Sequence, residues 1–202
     1  MSHLLGIDTS TTATKAVIVD AAGNVVGVGA AEYGFESPQP LWSEQHPDLW
    51  WDGTVAAVSS ALSTTGLDGD AVAALGLTGQ MHGAVLLDAA GEPLRPAILW
   101  NDQRSAAECD LIRAAVRPDR LIELTGNDAV TGLTAPKLVW VREHEPEVWR
   151  RIAHFVLPKD FVRLRLTGDY ALDKADGAGT LLFDLAARDW SPEVLEIGRA
   201  HV

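Results

Sequence analysis

Polar residues near the start of the chain have the composition of a phosphate-binding turn. The apolar run at residues 4–7 ends at Asp8, and Thr11, Thr12 and Lys15 follow shortly after it. The backbone amides of such a turn and its lysine suit phosphate oxygens, whereas the carboxylate suits Mg²⁺, held directly or through water. The alternative is an ordinary N-terminal hairpin with a threonine-rich turn, and this stretch by itself does not separate the two.

Two later loops carry side chains that suit a polyol. One has the sequence QMHG at residues 80–83, and the other has the sequence WNDQR at residues 100–104. Each follows an apolar, strand-like run, which is where α/β folds place ligands. A polyol needs an apolar surface for its C–H groups and fixed donors and acceptors for its hydroxyls, and the two loops together supply both. The alternatives are that His82 is a structural histidine and that Trp100 is a core residue.

The composition indicates a globular α/β protein and excludes several other classes. The 202 residues include 47% apolar and 22% charged residues, and the net charge of −12 argues against nucleic acid or an anionic membrane as the main partner. Neither a P-loop nor a well-placed dinucleotide-binding motif occurs. The single cysteine excludes an internal disulfide, and with the histidine spacing it argues against a zinc site. With no apolar run long enough for a membrane span and no signal-peptide pattern, we expect a cytoplasmic protein.

The elements that must position these residues are predicted to alternate between strands and helices. Short connections predict an antiparallel meander of three strands, at residues 4–8, 16–19 and 25–31. A helix is expected to begin near Asp48 and to end at Gly66. Its buried face is predicted from apolar spacing to carry Trp51, Val55, Val58 and Leu62.

The rest of the chain continues the alternation, which favours an α/β sheet. Further strands are predicted at residues 71–77, 84–87, 97–100 and 154–157. Further helices are predicted at residues 105–116, from Pro136 onward, at 147–152 and at 160–166. Residues 119–135 are expected to be a loop, and residues 168–173 a turn with a short strand. No linker divides the chain.

Several motifs resemble one known family along most of the chain. Residues 132–144, GLTAPKLVWVREH, match the first signature of the FGGY carbohydrate kinases, which requires a lysine and a tryptophan three residues later, here Lys137 and Trp140. The stretch that begins at Asp8 resembles the first phosphate loop of that family. Four further segments resemble the members that act on the ketopentose D-xylulose: LWSEQ at 41–45, GQMHG at 79–83, ILWND with Arg104 at 98–104, and LPKD at 157–160. Members that act on glycerol carry an Arg-Glu pair in place of Met81-His82.

The resemblance implies an α/β fold of the ribonuclease-H-like, actin-like ATPase class, with a mixed sheet and flanking helices. It also implies that ATP binds in a cleft between two domains and that its γ-phosphoryl group passes to the 5-hydroxyl of D-xylulose. By resemblance Asp8 holds Mg²⁺, and Thr11, Thr12 and Lys15 face the phosphates. The residues that would line the sugar site are Met81, His82, Trp100 and Asp102. A homodimer of the full-length enzyme is a further expectation.

The sequence departs from the family in its phosphate loop and in its length. Ser10 and Ala13 stand where the family commonly has glycine, which would cost about 1 kcal/mol or more if either position required a positive φ. Members of the family are much longer, and their catalytic aspartate lies in a G-G-x-D-N segment that does not occur here. Asp176, in the motif DGAGT, belongs to a different family motif and is not assigned as the base.

We therefore expect residues 1–196 to be the incomplete N-terminal domain of such a kinase, inactive by itself. Residues 197–202 are expected to be a non-native tail that packs on nothing. One alternative is a kinase for a related ketose or polyol. The other is a non-catalytic sugar-binding or actin-like module, which would not need the loops at 80–83 and 100–104.

Overall fold

The computed structural model describes residues 2–198, which begin with four consecutive strands and include four consecutive α-helices within residues 106–149. The strands are β1 (His3–Thr9), β2 (Ala13–Val19), β3 (Val25–Glu32), β4 (Glu44–Gln45), β5 (Val72–Gly79), β6 (Val85–Leu87), β7 (Ala97–Ile98), β8 (His154–Val156), β9 (Phe183–Asp184) and β10 (Asp189–Trp190). The α-helices are α1 (Asp48–Thr65), α2 (Ala106–Ala115), α3 (Pro118–Thr125), α4 (Thr134–His144), α5 (Pro146–Trp149), α6 (Pro158–Thr167), α7 (Lys174–Ala178) and α8 (Pro192–Leu195). Short 3₁₀ helices cover Gly69–Ala71 and Glu196–Gly198.

Tertiary contacts divide the described residues into two compact units that interleave along the sequence. Unit 1 takes residues within Met1–Phe35, Gln45–Gln80 and Pro158–Tyr170. Unit 2 takes residues within Glu36–Glu44, Met81–Leu157 and Ala171–Val202. Because the chain leaves and re-enters each unit, no single stretch of sequence has the character of a linker. The predicted extent of the domain, residues 1–196, stays a prediction.

Unit 1 is built on a four-stranded mixed sheet in the order β3-β2-β1-β5. The predicted meander is confirmed: β1 pairs antiparallel with β2 and β2 with β3, whereas β5 joins β1 in parallel. Alternate side chains of β1 and β2 are buried, among them Ile7 and Ile18, and they pack with α1 in one core. On the opposite face Leu4 and Val28 are half exposed. The burial pattern therefore places every second residue of β1, including Asp8, away from this core.

Helix α1 begins and ends as predicted, but its predicted apolar face is confirmed only in part, since Val58 and Leu62 pack partly buried against the core of unit 1. The fully buried positions are Trp50, Gly53, Thr54, Ala57 and Ala61. Val55, which the apolar spacing placed on the buried face, is exposed. Small residues allow α1 to lie very close to β3, where a β-carbon added to Gly29 would be 2.0 Å from the carbonyl oxygen of Ala57. The close approach of the backbones, and not the size of the apolar side chains, sets this packing.

Unit 2 is mainly helical. Helices α2, α3 and α4 share a core with residues 181–182 and with Val194 of α8. Strand β6 pairs antiparallel with β8. Helix α3 corrects the predicted loop over residues 119–135, since it begins with Pro118 at its first position and ends at the left-handed Gly126. Residues 168–173 contain no strand, which also differs from the prediction.

The end of the described chain corrects part of the prediction for the tail. Ile197 packs against the helical core of unit 2. Its carbonyl oxygen accepts a hydrogen bond from Nη1 of Arg142 at 2.7 Å. The expectation that residues 197–202 pack on nothing is therefore wrong for Ile197. Residues 199–202 lie outside the described residues, and a non-native origin of the segment stays a prediction. Nowhere within residues 2–198 is a helix both long enough and apolar enough to cross a membrane.

Candidate functional site

The predicted phosphate-binding residues lie together at one end of the β1–β2 hairpin in unit 1. Asp8 is directly opposite Lys15 in the antiparallel register, and Thr78 of β5 is opposite Asp8 on its other side. Directly opposed residues project from the same face of a sheet. Asp8 is partly exposed, and Lys15 and Thr12 are exposed. A carboxylate and an ammonium group are thus adjacent on the accessible face of the sheet.

The turn between the two strands is regular and unstrained. The amide and the hydroxyl of Ser10 both donate to the carbonyl oxygen of Ala13, at 2.9 and 2.8 Å. Neither residue has a positive φ. The cost foreseen for replacing the family's glycines does not arise, because these positions do not require a left-handed backbone.

Three polar side chains hold this turn, and sequence reasoning assigned no role to them. The hydroxyl of Tyr33 donates to the carbonyl oxygen of Ser10 at 2.9 Å, and Nε2 of Gln45 donates to that of Thr11 at 2.9 Å. Thr11 in turn donates its hydroxyl to Oε1 of Gln80 at 3.3 Å. Gln45 and Gln80 are themselves joined at 3.0 Å. Both glutamines lie in segments that resemble the family, which was the available signal.

An open depression beside the turn is lined by Thr12, Ala13, Lys15, Glu32 and Tyr33. Burial raises the pKa of Tyr33 to about 12, and the nearby Asp8 carboxylate acts in the same direction. Tyr33 therefore remains a neutral hydrogen-bond donor at physiological pH. No group of three or more metal-binding side chains occurs within residues 2–198. One carboxylate is nevertheless compatible with Mg²⁺, which usually keeps several waters and binds one or two carboxylates together with substrate phosphates.

The two predicted sugar loops are neighbours in unit 2. Ala84 forms an antiparallel bridge with Ile98, and its amide donates to the carbonyl oxygen of Ile98 at 3.0 Å. Because the strands run in opposite directions, the loop before Ala84 and the loop after Ile98 lie at the same end. Met81 is 52% exposed and Trp100 is 45% exposed. The alternative that Trp100 is a core residue is therefore wrong, and two large apolar side chains lie on the surface of adjacent loops.

His82 is held in an uncommon backbone conformation. Its φ is +61°, and the amide of Gly83 donates across it to the carbonyl oxygen of Met81 at 2.8 Å, which closes the rare γ-turn with positive φ. The hydroxyl of Thr134 donates to the carbonyl oxygen of His82 at 3.2 Å. Burial lowers the pKa of His82, and the charge on Lys137 adds to this effect. A neutral imidazole offers one donor and one acceptor.

Asp102 has a different environment from the other predicted sugar ligands. Its side chain is 1% exposed. One oxygen accepts from the amide of Ser43 at 2.6 Å, and both oxygens accept from the guanidinium of Arg104 at 2.7–3.0 Å. In this arrangement Asp102 fixes the loop, and its contact with a sugar stays a prediction.

Asp102 belongs to a charged cluster that sequence reasoning did not foresee. The charged cluster consists of Glu44, Arg95, Asp102, Arg104 and Glu145. Glu44 pairs with both arginines, and Arg95 also donates to Glu145 at 2.8 Å. The guanidinium carbon of Arg104 is 3.7 Å from the ring centroid of Trp42 and 4.9 Å from that of Trp140. The required tryptophan of the family signature therefore packs against the cluster that holds the loop at 100–104.

The required lysine of the same signature, Lys137, is completely buried. Its Nζ donates to the carbonyl oxygens of Thr131, Gly132 and Leu133 at 3.1, 2.6 and 2.7 Å. Burial lowers its pKa to about 7, although Asp102 acts in the opposite direction. The ammonium group of Lys137 thus holds the segment 131–133, which precedes α4, through three hydrogen bonds to its carbonyl oxygens. That segment contacts the loop at 100–104, since a β-carbon on Gly132 would be 3.1 Å from the carbonyl oxygen of Trp100.

Comparisons with known proteins show the family to which the chain belongs. The model for the FGGY family of carbohydrate kinases, N-terminal domain, matches residues 3–199. Xylulose kinase from Escherichia coli strain K12 is 48% identical over 192 residues, which cover 95% of this chain and 39% of that protein. The chain thus spans about two fifths of the length of that relative.

Solved structures give the same result for the fold. A xylulose kinase from Brucella ovis superimposes with a TM-score of 0.92 at 42% identity, over 97% of this chain and 41% of the other. A xylulose kinase from Rhodospirillum rubrum superimposes with a TM-score of 0.92 at 30% identity, over 98% of this chain and 40% of the other. The predicted actin-like ATPase fold, with a mixed sheet and flanking helices, is confirmed. The chain belongs to the FGGY family of carbohydrate kinases, whose N-terminal domain it matches.

Proposed function

We propose that this chain supplies the sugar site and the first phosphate loop of an ATP-dependent kinase that converts D-xylulose to D-xylulose 5-phosphate. The observation that carries the proposal is the bridge between Ala84 and Ile98, which makes the two loops with sugar-binding composition neighbours. The similarity to proteins named xylulose kinase supports the choice of sugar.

The sugar would be bound by residues that supply both kinds of contact that it needs. The exposed side chains of Met81 and Trp100 provide apolar surface for its C–H groups. The neutral imidazole of His82 both donates and accepts a hydrogen bond, which suits a hydroxyl. The strained turn at His82 is typical of a functional site, where the surrounding structure fixes a conformation that is otherwise unfavourable.

The phosphate turn would bind ATP together with Mg²⁺. Lys15 and the hydroxyls and amides of Thr11 and Thr12 would face the phosphates, and Asp8 would hold the ion directly or through water. When bound, Mg²⁺ neutralises the charge that develops on the transferred group. The proton acceptor for the sugar hydroxyl and the adenine site are proposed to lie in the part of the relatives that this chain does not match. The 202-residue chain by itself is therefore expected to release no ADP in response to D-xylulose.

A chimera tests the proposal. The matching 192-residue segment of the Escherichia coli xylulose kinase is replaced by that of this chain, and D-xylulose-dependent ADP release is measured. We expect turnover with D-xylulose that exceeds turnover with related ketoses and polyols. Asp8→Asn should lower kcat by roughly 10²-fold or more with little change in the KM for sugar, as expected when charge stabilisation is lost.

Two variants of the chimera serve as controls. His82→Ala should raise the KM for the sugar, while Asp52→Asn, on the exposed side of α1, should change neither constant. A folded chimera with no activity toward D-xylulose would contradict the proposed substrate. Near-normal turnover of Asp8→Asn would contradict the proposed role in holding Mg²⁺.

A further inference from the structure

The motif DGAGT at residues 176–180 contains none of the predicted site residues, and the presence of glycine at position 179 needs an explanation. Gly179 follows α7 with φ −79° and ψ −2°. These angles are close to those of the third residue of a type I turn, which is compatible with most residues, so the backbone conformation does not require glycine here. The reason for glycine must lie in what surrounds it.

The neighbour that excludes a side chain at Gly179 is the imidazole of His82. A β-carbon added to Gly179 would be 2.3 Å from Cε1 and 2.7 Å from Nδ1 of His82. Both distances are far below a van der Waals contact between heavy atoms, for which the optimum is about 3.5–4.0 Å. Either the helix end or the ring would have to move.

Neither partner moves without cost, but the ring is the more mobile of the two. The N-terminus of α7 is fixed by Asp173, whose carboxylate accepts from the amides of Ala175 and Asp176 at 2.9 and 3.0 Å. The backbone of His82 is fixed by the γ-turn and by the hydrogen bond from Thr134. A change in the χ angles of His82 is what remains, and it would carry the half-buried ring toward solvent.

We propose that Gly179 is a positioning residue: its missing side chain leaves the space in which the His82 imidazole lies, and any β-carbon there displaces the ring. The link from this placement to sugar binding rests on the proposed function. The placement itself does not, because it follows from the distances between α7 and the loop at 81–83. The two residues lie in segments almost a hundred positions apart in the sequence, so no local sequence pattern reveals their contact.

The experiment follows the His82 ring in the 202-residue chain by NMR of its Cε1–H group, with assignment from His82→Ala. The variants are Gly179→Ala and, as a matched control two residues earlier in α7, Gly177→Ala. A β-carbon on Gly177 would meet Phe183 at 3.2 Å and does not approach His82. Each variant is titrated with acid, and its affinity for D-xylulose is measured by calorimetry.

We expect the His82 resonance of Gly179→Ala to shift and its titration midpoint to rise toward about 6.5, the ordinary pKa of an exposed histidine. In the parent chain burial lowers this pKa, with Lys137 acting in the same direction and Asp176 and the Gly179 backbone in the opposite one. The affinity for D-xylulose should fall about tenfold or more. Gly177→Ala should leave the ring resonance and its titration unchanged.

A double variant separates displacement of the ring from general damage to the fold. In the His82→Ala background, Gly179→Ala should have no further effect on stability or affinity, because the ring is gone. If Gly179→Ala does not fold, the double variant must still fold as well as His82→Ala. Failure of the double variant to fold, or an unchanged ring resonance in Gly179→Ala, would overturn the proposal. Absence of D-xylulose binding by the parent chain would count against the proposed function, while the ring titration would still decide the role of Gly179.

Discussion

The phosphate turn of unit 1 and the sugar loops of unit 2 are held by different kinds of interaction. The turn is fixed by neutral groups, since Tyr33, Gln45 and Gln80 bond to its carbonyl and hydroxyl groups. The sugar loop at 100–104 is fixed by buried charged groups, because it contains two members of the charged cluster and contacts the segment 131–133 that Lys137 holds. The loop at 80–83 is held by the γ-turn at His82 and by the hydroxyl of Thr134. The backbone differs as well, because Ser10 and Ala13 are unstrained whereas His82 has a positive φ.

The difference follows from how much regular structure adjoins each segment. The turn joins two seven-residue strands, whose ladder already fixes most of its backbone. The loop at 80–83 lies between the eight-residue β5 and the three-residue β6, but the loop at 100–104 adjoins only the two-residue β7, which fixes little of its backbone. Side chains must therefore supply the rigidity, and buried ionic groups do so with high directionality. As a consequence, the stability of this region is sensitive to substitution, because removing one partner leaves an uncompensated buried charge.

The largest effect should come from breaking the charged cluster with Arg104→Leu. The variant leaves Asp102 buried without its ion-pair partner and Glu44 with Arg95 alone, and breaking a buried pair in this way typically costs about 3–5 kcal/mol. Urea denaturation of the 202-residue chain measures this loss. The matched control is Arg150→Leu, which removes an exposed ion pair with Glu147 and should cause no measurable change. A loss below about 1 kcal/mol in Arg104→Leu would contradict the importance of the cluster.

The second prediction uses the buried lysine and pH. The pKa of Lys137 is lowered to about 7 in the folded chain, against an ordinary value near 10.5 when unfolded. Between these values the unfolded chain binds more protons, so the lysine's contribution to the free energy of unfolding rises with pH, by at most about 1.4 kcal/mol per pH unit. Urea denaturation at pH 7, 8 and 9 should show this rise in the parent chain and in Lys174→Met, whose lysine is exposed. Lys137→Met should lack this rise in the free energy of unfolding with pH. An equal slope in that variant would refute the lowered pKa of Lys137.

The third prediction concerns the neutral contacts of the turn. Tyr33→Phe removes the hydroxyl that donates to Ser10 and should destabilise the chain by about 1 kcal/mol, the net value of a typical hydrogen bond. Chemical denaturation gives the value. A loss as large as that of Arg104→Leu would show that the neutral contacts of the turn matter as much for stability as the charged cluster does.

The smallest effect on stability should come from Asp8→Asn. The side chain is partly exposed, and a substitution of this kind usually changes the free energy of unfolding by less than about 0.5 kcal/mol. Thermal unfolding of the 202-residue chain checks this expectation. A marked destabilisation would show that Asp8 has a structural role, and the loss of turnover expected in the chimera would then lose its simple interpretation.

Local sequence patterns were sufficient to predict those secondary-structure elements whose boundaries depend on neighbouring residues. The meander, the start of α1 at Asp48, its end at Gly66 and the position of α2 were all predicted from turns, caps and periodicity. Helix α3 was missed although Pro118 and Gly126 are ordinary helix boundary signals. The motif around Lys137 and Trp140 was sufficient to identify the family, because the signature lies within one short segment of sequence.

Only the tertiary structure decided which side chains hold the site. The buried face of α1 depends on how closely the helix approaches Gly29 of β3, and this distance cannot be read from the sequence of the helix. Ser43 and Asp102 are 59 positions apart, and Gln45 and Gln80 are 35 positions apart, yet each pair is hydrogen bonded. The dihedral angles at position 179 do not require glycine, and only the nearby ring of His82 explains why glycine occurs there. Sequence determined the elements because their hydrogen bonds and caps are local, whereas the partners of the candidate site meet only when the interleaved segments of each unit pack together.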